Sequence, residues 1–170
     1  MKNLNDLFQD TICDIYDSEN QLLKGMAEMV RASKSPRLQE AIQSHIAQTE
    51  GQVRRIEEIC DKLGFSPKGT SCQATVGLVK EAQEHIKKFG GTPAGDAAII
   101  ACAQKCEHYE ICNYGTAIEW AELLGFDEIA EMLELTLTEE EGADDLLTEI
   151  AESEVNEKAM AMAGSGASLI

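Results

Sequence analysis

The run Ile99-Ile100-Ala101-Cys102-Ala103-Gln104-Lys105-Cys106-Glu107-His108-Tyr109-Glu110-Ile111-Cys112-Asn113-Tyr114-Gly115-Thr116-Ala117-Ile118 poses the question on which the fold turns. Residues three and four apart share one face of an α-helix, and on one such face Ile99 and Ala103 lead to Glu107 and Glu110 before Tyr114 and Ala117 resume. Two carboxylates thus interrupt an otherwise apolar stripe. Upstream, Thr92-Pro93 supplies a cap and a first-turn proline; downstream, Gly125 follows Leu124 as a stop. The stretch is one long helix with acids at its middle.

The same periodicity recurs on both sides. Leu4, Leu7, Phe8, Ile12, Ile15, Leu22, Met26, Met29 and Val30 predict a helix over about 4–32. Ser33-Lys34-Ser35-Pro36 then breaks the chain and caps a second helix through Leu38, Ile42, Ile56, Ile59 and Leu63, which Gly64 closes. A polar loop with Pro67, Gly69 and Ser71 leads to a shorter segment over about 72–89, where Val76, Val79, Ala82 and Ile86 keep helical spacing before Gly90-Gly91. After Phe126 a last long helix carries Ile129, Leu133, Leu137, Leu147 and Ile150. Two short turns make two hairpins, and the long middle connection carries the chain from one to the other. The expectation is an all-α, ferritin-like antiparallel four-helix bundle with an additional short crossover helix. It occupies residues 1–158, and residues 159–170, poor in sequence complexity, form a flexible C-terminal tail.

Composition narrows the function. The chain has 170 residues, enough for one domain, and a formal charge of −17. Clustered Lys and Arg drive binding to phosphate backbones and anionic membranes, so no nucleic acid and no membrane is expected as partner. No apolar run reaches the roughly 20 residues of a membrane span, and the first residues lack a signal peptide's apolar core; the expected location is cytoplasmic. Six cysteines (Cys13, Cys60, Cys72, Cys102, Cys106, Cys112) fall mostly inside helical patterns and are expected as reduced thiols. Cys102 and Cys106 share a helix face, but with no second Cys or His pair at ligand spacing they read as small core residues.

The interrupted stripe is common to all four long helices. In the first, Glu19 follows Ile15 and precedes Leu22. In the second, His45, Thr49 and Gln52 separate Ile42 from Ile56. In the fourth, Glu140 and Asp144 lie between Leu137 and Leu147. Antiparallel helices of similar length pack with their midpoints level, so Glu19, His45, Glu107, Glu110, Glu140 and Asp144 are expected to converge on one interior site. Unpaired buried carboxylates cost several kcal/mol each unless protonated, paired or metal-bound. Carboxylates and histidine in a bundle core are how di-iron and di-manganese sites are built, so two iron (or manganese) ions are expected, with oxygen or peroxide as the small-molecule substrate. Tyr16 and Tyr114 lie near enough on their helices to hydrogen-bond a ligand. His85 and His108 read as exposed, and Glu139 and Glu141 as a solvated face. The competing reading is a non-catalytic helical protein whose polar core only fixes register and which acts through a partner.

The same residues resemble the YciF/YciE family of bacterial stress-associated ferritin-like proteins. The matching stretches are Asp14-Ile-Tyr-Asp-Ser-Glu19-Asn-Gln-Leu, His45-Ile-Ala-Gln-Thr-Glu-Gly-Gln-Val-Arg-Arg-Ile, Glu107-His-Tyr-Glu110-Ile-Cys-Asn-Tyr114-Gly-Thr and Glu139-Glu-Glu-Gly-Ala-Asp144. The resemblance implies a homodimer, a role in stress response and a core related to rubrerythrin-type di-iron proteins. Such sites usually carry Glu-x-x-His on two helices. Here Thr49-x-x-Gln52 and Glu140-x-x-Ala143 stand instead, and His45 and Asp144 are the candidates to replace the missing histidines.

Overall fold

In the computed structural model, which describes residues 2–166, the chain forms α1 (Leu4–Ala32), α2 (Pro36–Leu63), α3 (Gln73–Phe89), α4 (Pro93–Leu123) and α5 (Asp127–Ile150). A π-helical turn, Ala151–Val155, joins α5 to α6 (Asn156–Gly166). Helix thus continues past residue 159, where the sequence reading begins a tail; residues 167–170 lie outside the described residues. The expected all-α class and helical bundle are present.

Local chemistry sets the helix ends. Asn3 and Asp6 exchange side-chain to backbone hydrogen bonds at the start of α1, which satisfies two amides that the first turn leaves without helical partners. Ser35 and Thr92 accept from Leu38 N and Gly95 N, each with proline at the first turn. Gly64 ends α2 in the left-handed region at φ 76°, where a side chain would strain the backbone.

Two apolar clusters show how the helices run. Phe8, Ile12 and Ile15 from the start of α1 pack with Ile56 and Ile59 from the end of α2, Tyr114, Ala117 and Ala121 from the end of α4, and Ile129 and Leu133 from the start of α5. Met26 and Met29 from the end of α1 pack with Leu38 and Ile42, Ile99 and Ala103, and Leu147 and Ile150. Starts meet ends across every neighbouring pair of long helices, so the bundle is antiparallel. Helix α3 lies against α1 and α4, with Ala82 in the second cluster. Cys102 and Cys106 are buried in that cluster as free thiols, and burial, the largest cause, pushes the Cys106 thiol up to about 12. They are core residues.

One buried acid escaped sequence reading. Asp96, at the start of α4, accepts hydrogen bonds from Ser33 Oγ (2.8 Å) and the Lys34 amide (2.7 Å), tying the α1–α2 turn to the third long helix. Its place in the first turn of a helix is favourable for a negative charge. Only the long-range partners reveal that it is buried.

Candidate metal centre

Between the two apolar clusters lies a belt of polar side chains at the mid-height of the bundle. Glu19 (α1), His45, Thr49 and Gln52 (α2), Glu107 and Glu110 (α4), and Thr136 and Glu140 (α5) are all buried. Each occupies an inward position on its helix stripe, and each therefore faces the other three helices rather than water. No lysine or arginine is buried among the described residues.

His45, Glu107 and Glu140 form the tightest group. The Nε2 atom of His45 is 3.3 Å from Glu107 Oε2 and 3.3 Å from Glu140 Oε2. Ligand atoms of all three residues lie within 4.8 Å of one another. One ring N–H cannot point at two carboxylates at once, and neither oxygen has an aligned hydrogen bond. At the far side of the ring, Nδ1 lies 3.2 Å from Gln48 Oε1. A proton on Nδ1 donated to Gln48 leaves the Nε2 lone pair facing the carboxylates, the orientation a metal ligand requires.

Glu19 and Glu140 each have one oxygen held by a neighbouring side chain. Tyr114 donates its hydroxyl to Glu19 Oε1, and Gln52 donates its amide to Glu140 Oε1. The second oxygens, Glu19 Oε2 and Glu140 Oε2, have no hydrogen-bond partner, nor do Glu107 Oε2 and Glu110 Oε1. Four buried glutamates therefore each keep one carboxylate oxygen unpartnered, with the His45 ring beside two of them. In a protein interior such orphans are rare and costly.

Electrostatics follow from this crowding. Burial, then Glu140, raises the Glu19 carboxyl to about 8, while Tyr114 and His45 pull it back. Burial and three neighbouring carboxylates (Glu19, Glu140, Glu107) hold Glu110 well above the usual carboxylate range. Burial opposes a charge on His45, but Glu107 and Glu140 outweigh it and raise the imidazole to about 11. Without a metal, this belt is a place where protons stand in for missing positive charge.

Other expected residues lie outside this group. Asp144, one turn beyond Glu140, is half-buried; its Oδ2 is 3.7 Å from the exposed His108 and its Oδ1 is unpartnered. Tyr16 donates to Glu57 Oε1 at 2.8 Å, away from the belt, whereas Tyr114 is fully buried within it. Glu141 is exposed as expected, but Glu139 is not part of a solvated face. It accepts from Arg55 Nη1 (3.0 Å) and Nη2 (3.1 Å) and from Gln52 (3.0 Å), and Arg55 also reaches Thr136. Gln52 and Arg55 thus hold both Glu139 and Glu140 to α2. The polar stripe through Thr49 and Gln52 signalled the belt in sequence, but the Arg55 to Glu139 pair, 84 residues apart, gave no local signal.

Residues 3–160 match the family described as a domain of unknown function, DUF892. Protein YciF of Escherichia coli strain K12 is 39% identical over 160 residues, covering 94% of this chain and 96% of that protein. The crystal structure of the E. coli stress protein YciF superposes with a TM-score of 0.88, covering 93% of this chain and all (100%) of that one. YcfI from Rhodopseudomonas palustris gives 0.84 at 39% identity, covering 86% of this chain and 94% of the other. The resemblance read from the Glu107–Thr116 block and its companions is borne out over nearly the whole length, and the chain belongs to the DUF892 family.

Proposed function

We propose that this chain binds a dinuclear iron or manganese centre in the polar belt, with Glu19, His45, Glu107, Glu110 and Glu140 as ligands and Asp144 as an outer carboxylate. The observation that carries the reading is the set of four unpartnered buried glutamate oxygens, with no buried lysine or arginine among the described residues to neutralise them. A hard, oxygen-rich donor set with one imidazole suits iron or manganese better than a thiol-seeking metal. Such a centre, when bound, would supply electron transfer to dioxygen or peroxide. The chain's own part is positional: Tyr114 and Gln52 each occupy one oxygen of a carboxylate and leave the other turned inward, and Gln48 orients His45. The E. coli relative is described as a stress protein, and we place this chain in the same setting, working as a homodimer.

The test is metal content after anaerobic loading with ferrous or manganous ion. About two ions per chain are expected, as carboxylate-rich bundle sites hold. A Glu107→Ala, Glu110→Ala variant should lose them and keep its helicity. Content well below one ion per chain in the wild type would overturn the reading.

One observation favours the competing, structural role. Glu19, Glu140 and His45 each have a protein partner, so part of the belt is already satisfied. If loading fails and Gln52→Leu lowers the melting temperature sharply, the belt serves to fix helix register.

A further inference from the structure

The belt is closed on several sides. The two apolar clusters pack above and below it, and α3 lies across α1 and α4. On that side the void that reaches Glu107 and Glu110 measures about 20 Å³, space for about one water. The seam between α2 and α5 is different. There a cavity of about 390 Å³ runs from the exposed residues Ser44, Gln48, Thr138 and Gly142 to His45 and Glu107 at the belt.

Volume and charge together select what can travel along this seam. A divalent ion that keeps six waters fills roughly 180 Å³, at about 30 Å³ per water, so it fits here and does not fit on the α3 side. Met26, Met29 and Ala103 give the cavity an apolar wall, past which an ion must keep its waters. Its polar lining comes from α2, where Ser44, His45 and Gln48 share a helix face, and from α5, where Thr138 and Glu139 are neighbours. Among the described residues, no lysine or arginine lines it. The chain's charge of −17 draws cations towards such an opening and repels anions.

Glu139 is the acid that solvent reaches along this path. Its side chain is 28% exposed, against 4% for Glu107 and 0% for Glu140. Gln52 donates to Glu139 (3.0 Å) and to Glu140, so the wall carboxylate and a belt carboxylate share one amide. Arg55 holds Glu139 at 3.0 Å, and an arriving cation exchanges one positive partner of that carboxylate for another.

We propose that the α2–α5 cavity is the route by which a hydrated divalent cation enters and leaves the belt, with Glu139 as the carboxylate that first holds it. The ion then sheds water as it passes to His45, Glu107 and Glu140. This route presupposes the metal centre proposed above. It adds a set of side chains that control the rate of loading without setting the final affinity.

The test uses the full chain, stripped of metal with chelator and mixed anaerobically by stopped flow with ferrous ion and, separately, manganous ion. A fluorescent indicator follows the free ion, and elemental analysis gives the final content. Gly142→Leu at the mouth and Ala143→Leu on the wall narrow the cavity at two positions. A Cβ atom at 142 meets nothing within 4 Å, and melting temperatures check that both variants are folded. Both should reach the wild-type content of about two ions per chain, but about tenfold more slowly, and should lose the ions to excess chelator more slowly by the same factor. Equal slowing in both directions marks a route, whereas a change in affinity marks a ligand. Glu139→Gln should also load about tenfold more slowly, while Glu141→Gln, which removes the same charge from the exposed face of the same helix, should load at the wild-type rate. Wild-type rates in both blocking variants overturn the route and leave the metal centre standing. A lower final content in both assigns these positions to the site itself and also overturns the route. Equal slowing by Glu139→Gln and Glu141→Gln overturns the part given to Glu139. A wild type that takes up neither ion overturns the metal centre and the route together.

Discussion

The two ends of the bundle are built differently. At the end where α1 and α5 start, Phe8, Ile12, Ile56, Ile59, Tyr114 and Leu133 are all fully buried, and large rigid side chains fill the space between four helices. At the other end, among the described residues, no aromatic side chain joins the core, Met26 and Met29 do, and the cavity runs in beside them. Without an aromatic ring the space is less fully taken, and methionine adapts to what is left. The difference teaches that one end anchors the fold while the other concedes packing to make room beside the polar belt.

Core truncation should expose that contrast most strongly. Leu133→Ala at the closed end should cost about 3–5 kcal/mol, because it opens a void in a filled core, and Leu147→Ala on the cavity wall about 2–3 kcal/mol, because space already borders it. Urea midpoints at unchanged slope measure both. If Leu147→Ala costs as much as Leu133→Ala, the two ends are equally packed.

The belt between the ends carries the next effect. In chelator, Glu110→Leu with Glu140→Met should be more stable than wild type by about 1–4 kcal/mol, since two desolvated acids give way to apolar side chains of similar volume. Added ferrous or manganous ion should then stabilise the wild type and leave the variant unmoved, because a ligand stabilises only the state that binds it. A chelated variant that melts below chelated wild type would mean that protein partners satisfy these acids.

A smaller effect is expected from pH. The Glu19 carboxyl, burdened first by burial, stays protonated in the fold to about 8 against an ordinary value of 4.5, so each rise in pH through that window favours the unfolded chain. His45, which Glu107 and Glu140 raise to about 11 against burial, contributes stability that is full below 6.5 and is lost progressively above it. Both slopes have the same sign. The chelated protein should therefore lose several degrees of melting temperature between about pH 5 and pH 8. A melting temperature that rises across this range would show that the belt does not dominate the linkage.

The smallest change tests the cavity mouth. Gly142 sits inside α5 with open space where a side chain would begin. Gly142→Ala should stabilise the chain by about 0.5–1 kcal/mol through helix propensity alone. At Gly95 an added carbon would clash with the Phe89 carbonyl oxygen, so Gly95→Ala should destabilise instead. Thermal unfolding of the two variants separates propensity from close approach.

Much of the fold was legible because its signals are local. Ser35-Pro36, Thr92-Pro93 and Gly64 act on the residues beside them, and they mark the same helix ends in the sequence and in the structure. The belt was legible for a related reason: an acid at three-and-four spacing inside an apolar stripe must point where the apolar residues point. The roles of Tyr16, Tyr114, Glu139 and Asp144 were not legible, because each depends on a partner from another helix. Tyr114 reaches Glu19 across 95 residues of sequence, and Tyr16, read on the same grounds, turns to Glu57.

By itself, then, the sequence determined four long helices, their order, and a band of acids with one histidine at their middles, because helical periodicity and capping are properties of neighbouring residues. Tertiary structure alone decided which of those groups meet. His45, Glu107 and Glu140 come within 4.8 Å, while Asp144, one turn along the same stripe, faces His108 nearer the surface. A shared stripe fixes direction on one helix but not the angle or axial offset at which another helix crosses it. The cavity belongs to the same class of facts: it is the space that Ala103, Met26, Met29 and Leu147 leave unfilled when four helices pack, and no single helix contains it.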